Sequence, residues 1–159
     1  MTNKDGRFVL SGTGSSSIHT NQQLCGRLSS VIHDEIRSQL LVYPELMILA
    51  GGARGFDFLL AQAAMVLGID YVLALPNQGY KNYYWPDITP AEQEVFDHAS
   101  KTIYVCKSLY VDGLHSNFVR NNFMVEHSDF MLVYNPVSPG TKHCFGTIKK
   151  VGRLHKVII

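Results

Sequence analysis

Several features that would assign the chain to a special class of protein are scarce or missing. The three cysteines, Cys25, Cys106 and Cys144, are odd in number and widely spaced, so they suggest neither a disulfide framework nor a zinc site. The seven histidines are scattered, and the sequence holds neither a Cys-x-x-Cys nor a His-Glu-x-x-His motif. His115, His127 and His143 could still meet in space. We predict no metal site and no cofactor.

Charge of one sign and long apolar runs are also lacking. The formal net charge is +1 and no run of either sign is present, so the sequence has no basic stripe for nucleic acid. On this ground nucleic acid is not expected as a partner. No apolar run is long enough to span a bilayer, and the polar N-terminus does not resemble a signal peptide. The cysteine usage and these absences together predict a cytoplasmic protein without membrane contact.

The composition that remains is that of an ordinary globular domain. Of 159 residues, 46% are hydrophobic, which is enough for a proper core. A chain of this length is expected to form one domain, here residues 1–159. We therefore predict one nucleotide-binding domain, for the reasons that follow.

The central stretch is Leu49–Asp57, which reads Leu-Ala-Gly-Gly-Ala-Arg-Gly-Phe-Asp. An apolar run, residues 46–50, precedes it, and an apolar helical pattern, residues 58–67, follows. Glycines between a strand and a helix let the backbone approach an anion, and the helix N-terminus offers unpaired N–H groups. Arg54 adds a forked cation. The stretch fits either a phosphate-binding turn at residues 52–55 or a plain tight turn with a surface arginine.

Strands and helices alternate along the whole chain. Strands are predicted at residues 7–11, 46–50, 71–75, 101–105, 129–134 and 156–159. Helices are predicted from a capping box at Thr20 and Gln23 to residue 40, and at residues 58–67, 89–100, 116–127 and 145–151. Such alternation predicts an α/β fold, a single doubly wound, mainly parallel Rossmann-like sheet with helices on both faces. The apolar second helix also leaves room for a homodimer.

Four unusual loops should meet at one edge of this sheet. Residues 12–17, 51–55, 76–85 and 135–146 each follow the C-terminal end of a strand and supply glycines, hydroxyls, a cation or aromatic rings. Ligands of doubly wound folds bind at that edge. The third loop holds Trp85 and three tyrosines, which either pack over the core or close over a flat ligand such as a nucleobase. This convergence predicts a nucleotide-like ligand.

The motifs resemble those of the SLOG superfamily, which includes DNA-processing protein A. Gly51–Asp57 is similar to its glycine–Ala-Arg-Gly-x-Asp segment, and Arg120–Asp129 to its Arg-Asn…Met-Val-x-x-Ser-Asp segment. Gly140-Thr141 and Gly146-Thr147 resemble its closing Gly-Thr elements, while Gln78 and Trp85 are similar to the YpsA-like branch. The resemblance covers nearly the whole chain and implies a Rossmann-like sheet that binds nucleotides or nucleotide-derived ligands.

One branch of that superfamily, the lonely-guy phosphoribohydrolases, cleaves base from ribose 5′-monophosphate. Its pattern combines a helical arginine, matched by Arg120, with Gly-Gly-x-Gly-Thr-x-x-Glu, which resembles residues 144–150 and puts Lys150 at the glutamate position. A lysine has the wrong charge to stabilise an oxocarbenium ion. Arg120, Glu126 and Asp57 are the weak catalytic candidates that remain.

The sequence therefore predicts that a nucleotide-like small ligand is sensed or sequestered. A nucleoside 5′-monophosphate N-glycosidase is the alternative, and single-stranded DNA binding is the third possibility. The predicted ligand-binding residues are Gly12, Thr13, Gly14, Ser15, Gly51, Gly52, Ala53, Arg54, Gly55, Asp57, Gln78, Trp85, Arg120, Asn121, Gly140, Thr141, Gly146 and Thr147.

Overall fold

A computed structural model of the chain describes residues 6–107 and 113–158, with side chains described from residue 116 onward in the second range. It contains six strands and six α-helices, which alternate except that two helices lie between the third and fourth strands. The strands are β1 (Val9–Gly14), β2 (Met47–Gly51), β3 (Tyr71–Leu75), β4 (Lys101–Tyr104), β5 (Phe130–Tyr134) and β6 (His155–Ile158). The helices are α1 (Gln22–Val42), α2 (Phe56–Val66), α3 (Tyr80–Tyr84), α4 (Pro90–Asp97), α5 (Gly113–Glu126) and α6 (Pro139–Val151).

All six strands are parallel and lie in the order β4-β3-β2-β1-β5-β6. The chain builds outward from β1 to β4 and then returns to the other side of β1 for β5 and β6. The strand order therefore reverses between β1 and β5, where Gly14 is in register with Tyr134. This confirms the predicted doubly wound sheet and identifies the point at which such sheets open a crevice.

Two apolar layers cover the faces of the sheet. On one face, Leu28, Ile32 and Ile36 of α1 pack with α2 against the sheet. Their spacing of four residues puts them on one stripe of the helix, as the sequence predicts. On the other face, α5 and α6 contribute Met124, Val125, Cys144 and Ile148. Because the chain itself covers most of α2, its apolar sequence no longer argues for a homodimer.

Several sequence-based boundaries are wrong. Residues 12–14, expected in a loop, belong to β1, and α5 begins three residues before its predicted start. Three further errors have a local reason. The N-cap of α1 is Asn21, whose Oδ1 accepts from the Leu24 N–H at 3.0 Å, because residues 17–20 form a 3-10 turn that includes Thr20. Residues 80–84, expected as loop, form α3. The last helix begins at Pro139 and not at residue 145, because proline fits the first helical turn and Gly140 and Gly146 are tolerated inside it.

Candidate functional site at the reversal of strand order

A cavity of about 220 Å³ opens where the strand order reverses. It lies at the C-terminal ends of the strands, as the alternation of strands and helices predicts. The residues that line it come from β1, the turn before α2, α2, α3, α5 and the start of α6. They are Thr13, Gly14, Ser16, Ala53, Asp57, Tyr80, Tyr84, Asn117, Arg120, Asn121, Ser138, Pro139, Gly140 and Thr141.

The N-terminus of α6 is one wall of the cavity. The Ser138 hydroxyl donates to Thr141 Oγ1 at 2.9 Å, and no side chain caps the first turn. Pro139 has no N–H, so Gly140 and Thr141 provide the free N–H groups of that turn. An uncapped helix N-terminus beside a cavity favours an anion, because the N–H groups and the helix dipole both attract negative charge.

Arg120 is the cation of the cavity, and a hydrogen bond to Asn121 holds it in place. Its side chain is 5% exposed, and its Nε donates to Asn121 Oδ1 at 3.0 Å. Asn121 Nδ2 in turn donates to the Gly140 carbonyl at 3.1 Å, which ties the guanidinium to the start of α6. The Nη1 atom of Arg120 is buried and has no hydrogen-bond partner. A buried charged donor without a partner is costly, and the negative charge of an anion in the cavity would offset part of that cost.

Asp57 brings a carboxyl group to the same cavity. It lies in the first turn of α2 and is 6% exposed. Burial raises its pKa from 3.8 to about 6, while the Arg120 charge and the Ala53 N–H pull it back down. The cavity therefore holds a carboxyl group that changes charge close to neutral pH.

The turn at residues 52–55, predicted to bind phosphate, is partly bonded within the chain. The Phe56 N–H donates to the Ser15 carbonyl at 3.3 Å, and the Ala53 N–H donates to Asp57. A Cβ atom on Gly55 would lie 2.5 Å from that same Ser15 carbonyl. Neither α2 nor α6 has a side-chain cap, but at the start of α2 the Phe56 N–H is bonded to the chain, whereas the start of α6 lines the cavity.

Two tyrosines of α3 form the aromatic wall. Tyr80 and Tyr84 stack with their ring centroids 4.8 Å apart and their planes 13° from parallel. Tyr80 is buried and Tyr84 is half-buried, and both line the cavity. A stacked tyrosine at a cavity wall provides a flat face on which a base can stack.

Eight of the predicted ligand residues line this cavity: Thr13, Gly14, Ala53, Asp57, Arg120, Asn121, Gly140 and Thr141. Gly12, Ser15, Gly51, Gly52 and Gly55 are buried beside it. These residues allow close packing of the chain, since a Cβ atom on Gly12 or Gly14 would lie within 2.9 Å of the Phe56 ring.

Arg54 and Trp85 lie outside the cavity and contact each other. The guanidinium carbon of Arg54 lies 4.5 Å from the centre of the Trp85 ring, and Arg54 forms an ion pair with Asp87. Trp85 is 3% exposed, and its Nε1 donates to the Gly52 carbonyl at 2.7 Å. It lines a separate apolar cavity with Phe58 and other residues. In this structure Trp85 packs over the core and does not close over the larger cavity.

Four other candidates also lie away from the cavity. Gln78 is exposed before α3, and Glu126 is exposed at the end of α5. The Thr147 hydroxyl donates to Asn122 Oδ1 at 3.1 Å, one helical turn or more from the cavity, with Gly146 exposed next to it. These residues contribute to helix packing or to the surface.

The Gly-Thr pair at the cavity is not the pair to which the hydrolase-like pattern was matched in the sequence. The Gly-Thr pair at the cavity is Gly140-Thr141, whereas Lys150 is exposed near the far end of α6. Counted from Gly140-Thr141, the residue three positions after the threonine is Cys144, which is fully buried. The position still lacks a carboxylate, but the residue there is a thiol and not a lysine.

Sequence reasoning missed six of the lining residues: Ser16, Tyr80, Tyr84, Asn117, Ser138 and Pro139. Three of them carried a usable signal. Asn117 stands three residues before Arg120, so the two share one face of α5. Ser138-Pro139 is a typical helix start, with serine before a proline at the first helical position.

No set of three or more His, Cys, Asp or Glu side chains converges as metal ligands within residues 6–107 and 113–158. The His115 side chain lies outside the described part of the chain, and His143 instead stacks on Phe118 with ring centroids 3.9 Å apart. In the same described ranges, no helix is both long and apolar enough to cross a membrane.

The fold has counterparts among solved structures. DNA processing protein A from Streptococcus pneumoniae superimposes with a TM-score of 0.68 at 17% identity, over 96% of this chain and 50% of that one. DNA processing protein A from Helicobacter pylori gives 0.68 at 14%, over 96% of this chain and 66% of that one. The structural genomics target TM1055 gives 0.58 at 12%, over 93% and 72%. No protein-family model and no curated protein matches the chain.

These likenesses confirm the predicted Rossmann-like fold and its similarity to DNA processing protein A. At such low identities they show the fold alone, and membership of the YpsA-like branch stays a prediction. The chain spans only about half to two thirds of the two DNA processing proteins.

The expectation that nucleic acid is not a partner is wrong, because net charge does not exclude such a partner. It rested on the net charge of +1, yet the H. pylori protein with this fold is one for which a single-stranded DNA binding mode is described. Net charge fails as a criterion here because a few local donors in a cavity can hold a phosphate without a basic stripe.

Proposed function

We propose that the chain binds one nucleotide unit in the cavity between β1 and β5. The observation that carries this proposal is Arg120, a nearly buried guanidinium with an unpartnered Nη1 next to the uncapped start of α6. Together they supply the charge and the N–H donors that a phosphate group needs. The stacked Tyr80 and Tyr84 supply the face for a base.

The size of the cavity restricts the ligand. Its volume of about 220 Å³ lies below the range of about 300–1,000 Å³ that is usual for sites enclosing a whole drug-sized ligand. One nucleotide with its base at the mouth fits this volume better than a dinucleotide does. The proposed role is to sense or sequester such a nucleotide.

The first test is the replacement of Arg120 by methionine, which keeps an unbranched apolar stem and removes the charge. Nucleotide binding measured by calorimetry should weaken by about 100-fold or more, because the phosphate loses its buried charged partner. Arg37→Met is the matched control, since Arg37 is an exposed residue of α1 paired with Asp34. An unchanged affinity in Arg120→Met would contradict the proposed site.

A second variant, Gly140→Asp, tests the site even if Arg120→Met fails to fold. Gly140 has open space where a Cβ would be, so Gly140→Asp fits sterically. A carboxylate in the first turn stabilises a helix but repels a bound anion. We expect Gly140→Asp to fold at least as well as the wild type and to bind nucleotide about 10-fold more weakly.

Single-stranded DNA is the second candidate, favoured by the likeness to DNA processing protein A from H. pylori. In that case the bound nucleotide would be one unit of a strand. A labelled oligonucleotide would then bind by fluorescence anisotropy, Arg120→Met would abolish the signal, and mononucleotides would compete. With one buried arginine at the site, the salt dependence should be shallow, with a slope near −0.7 for each phosphate held.

The N-glycosidase alternative makes a separate prediction. Asp57 is the carboxylate among the residues that line the cavity, and the hydrolase-like position holds Cys144. We expect chromatography of AMP, GMP, CMP and dCMP incubated with the protein to show no free base above the blank. Base that appears with the wild type and disappears with Asp57→Asn would make the chain an enzyme.

A further inference from the structure

The cavity carries two opposite charges that do not pair directly. Among its described lining residues, Asp57 and Arg120 are the ones charged at neutral pH. A Cβ on Gly51 would lie 2.5 Å from Asp57 Oδ2 and 2.7 Å from Arg120 Nη1. Asp57 Oδ2 and Arg120 Nη1 therefore lie close to the same position and are at most about 5 Å apart. At that distance two charges interact strongly in a buried site. Even so, Nη1 has no hydrogen-bond partner.

The charge of the cavity consequently depends on Asp57. With Asp57 ionised, the carboxylate offsets the guanidinium, and an incoming anion meets a site without net charge. With Asp57 protonated, the site is cationic and the repulsion is gone. Since both side chains are nearly buried, water screens this difference little.

Other elements around Asp57 supply no competing titration near neutral pH. The titratable groups near Asp57 are Arg120 from α5, Tyr80 from α3 and Cys144 from α6. Each of them interacts electrostatically with Asp57. Burial raises the pKa of Tyr80 well above its usual range and that of Cys144 to about 12, so both stay neutral. Asp57 alone in this group changes charge between weakly acidic and neutral conditions.

We propose that Asp57 selects the charge state of the site, so that binding of an anion at Arg120 requires Asp57 to take up a proton. This rests on the proposed function and adds a pH dependence to it. The ligand anion then replaces the Asp57 carboxylate as the counter-charge of Arg120. Affinity should rise as the pH falls toward 6 and drop up to about 10-fold for each pH unit above it.

The test uses anions whose own charge is constant over the pH range, because a terminal phosphate titrates near pH 6 itself. Inorganic sulfate and 3′,5′-cyclic AMP meet this condition. Calorimetry in two buffers of different ionisation enthalpy gives the number of protons taken up on binding. The wild type should take up close to one proton at about pH 7.5 and almost none at about pH 5.

Two variants make the result specific. Asp57→Asn should bind sulfate without proton uptake, with an affinity independent of pH and higher than that of the wild type at about pH 8. Asp70→Asn is the control, because Asp70 forms a surface ion pair with Arg7 far from the cavity. Sulfate binding by this variant should depend on pH as it does in the wild type. Binding by the wild type without proton uptake overturns this proposal and leaves the proposed function standing. No binding of sulfate, cyclic AMP or any nucleotide at either pH overturns the proposed function itself.

Discussion

Replacement of Gly55 by alanine is expected to lower the free energy of unfolding by about 3 kcal/mol or more. Gly55 has φ 78° and ψ −127°, a backbone conformation that is open to glycine and strained for other residues. The new Cβ would also lie 2.5 Å from the Ser15 carbonyl and 2.9 Å from Ser16 Cα. Both contacts are with backbone, which cannot turn aside as a side chain can. Thermal unfolding should show a Tm about 10 °C lower.

Gly146→Ala is the matched control for this experiment. Gly146 lies within α6 with open space around the position of a Cβ, so alanine should stabilise the helix by about 0.5–1 kcal/mol. It should also leave nucleotide binding unchanged, because Gly146 does not line the cavity. If Gly55→Ala and Gly146→Ala had the same Tm, the turn before α2 would not be packed against Ser15 and Ser16 as described.

Replacement of Asp57 by asparagine is expected to stabilise the protein at alkaline pH and not at acidic pH. The pKa of Asp57 is raised in the folded state from 3.8 to about 6, so folding favours the protonated carboxyl. The stability due to this group is complete below about pH 4 and is lost as the pH rises through about 6. Asparagine is neutral throughout, so the gain above that range should approach about 3 kcal/mol.

Urea unfolding of wild type and Asp57→Asn at about pH 4 and about pH 8 measures this difference. The two proteins should differ little at the lower pH and most at the higher one. Asp70→Asn, at an exposed carboxylate, should show no such pH-dependent gain. A loss of stability in Asp57→Asn at the higher pH would mean that the charge attraction to Arg120 outweighs the cost of burying the carboxylate.

Much of the fold was predictable because its signals are local. Tyr71–Leu75 is a continuous apolar run, and its strand has those same bounds. Thr89 and Glu92 form the predicted capping box at the start of α4. The boundary errors arose where local signals compete. Thr20 and Asn21 are both good N-cap residues, and Pro139 starts a helix that contains two glycines.

The site was predictable in position and less so in detail. Loops after parallel strands must meet at one edge, so Thr13, Ala53 and Gly140 could be assigned to the same cavity without a structure. Arg54 and Trp85 were misplaced because each has a partner distant in sequence, Asp87 and the Gly52 carbonyl. Contacts between residues so far apart in the chain cannot be predicted from the spacing of residues in the sequence.

The sequence by itself determined the alternation of strands and helices, the parallel sheet and the edge at which its loops converge, because all three follow from periodicity and from handedness rules. Only the tertiary structure decided which backbone groups border the cavity. The Ser15 carbonyl accepts from the first N–H of α2 and Asp57 accepts from the Ala53 N–H, while Ser138 bonds to Thr141 and leaves the start of α6 without a side-chain cap. Tertiary packing also brought Asp57 and Arg120, which lie on separate helices, to either side of Gly51. Burial and charge proximity are properties of that packing, and they make the cavity a candidate site for an anion.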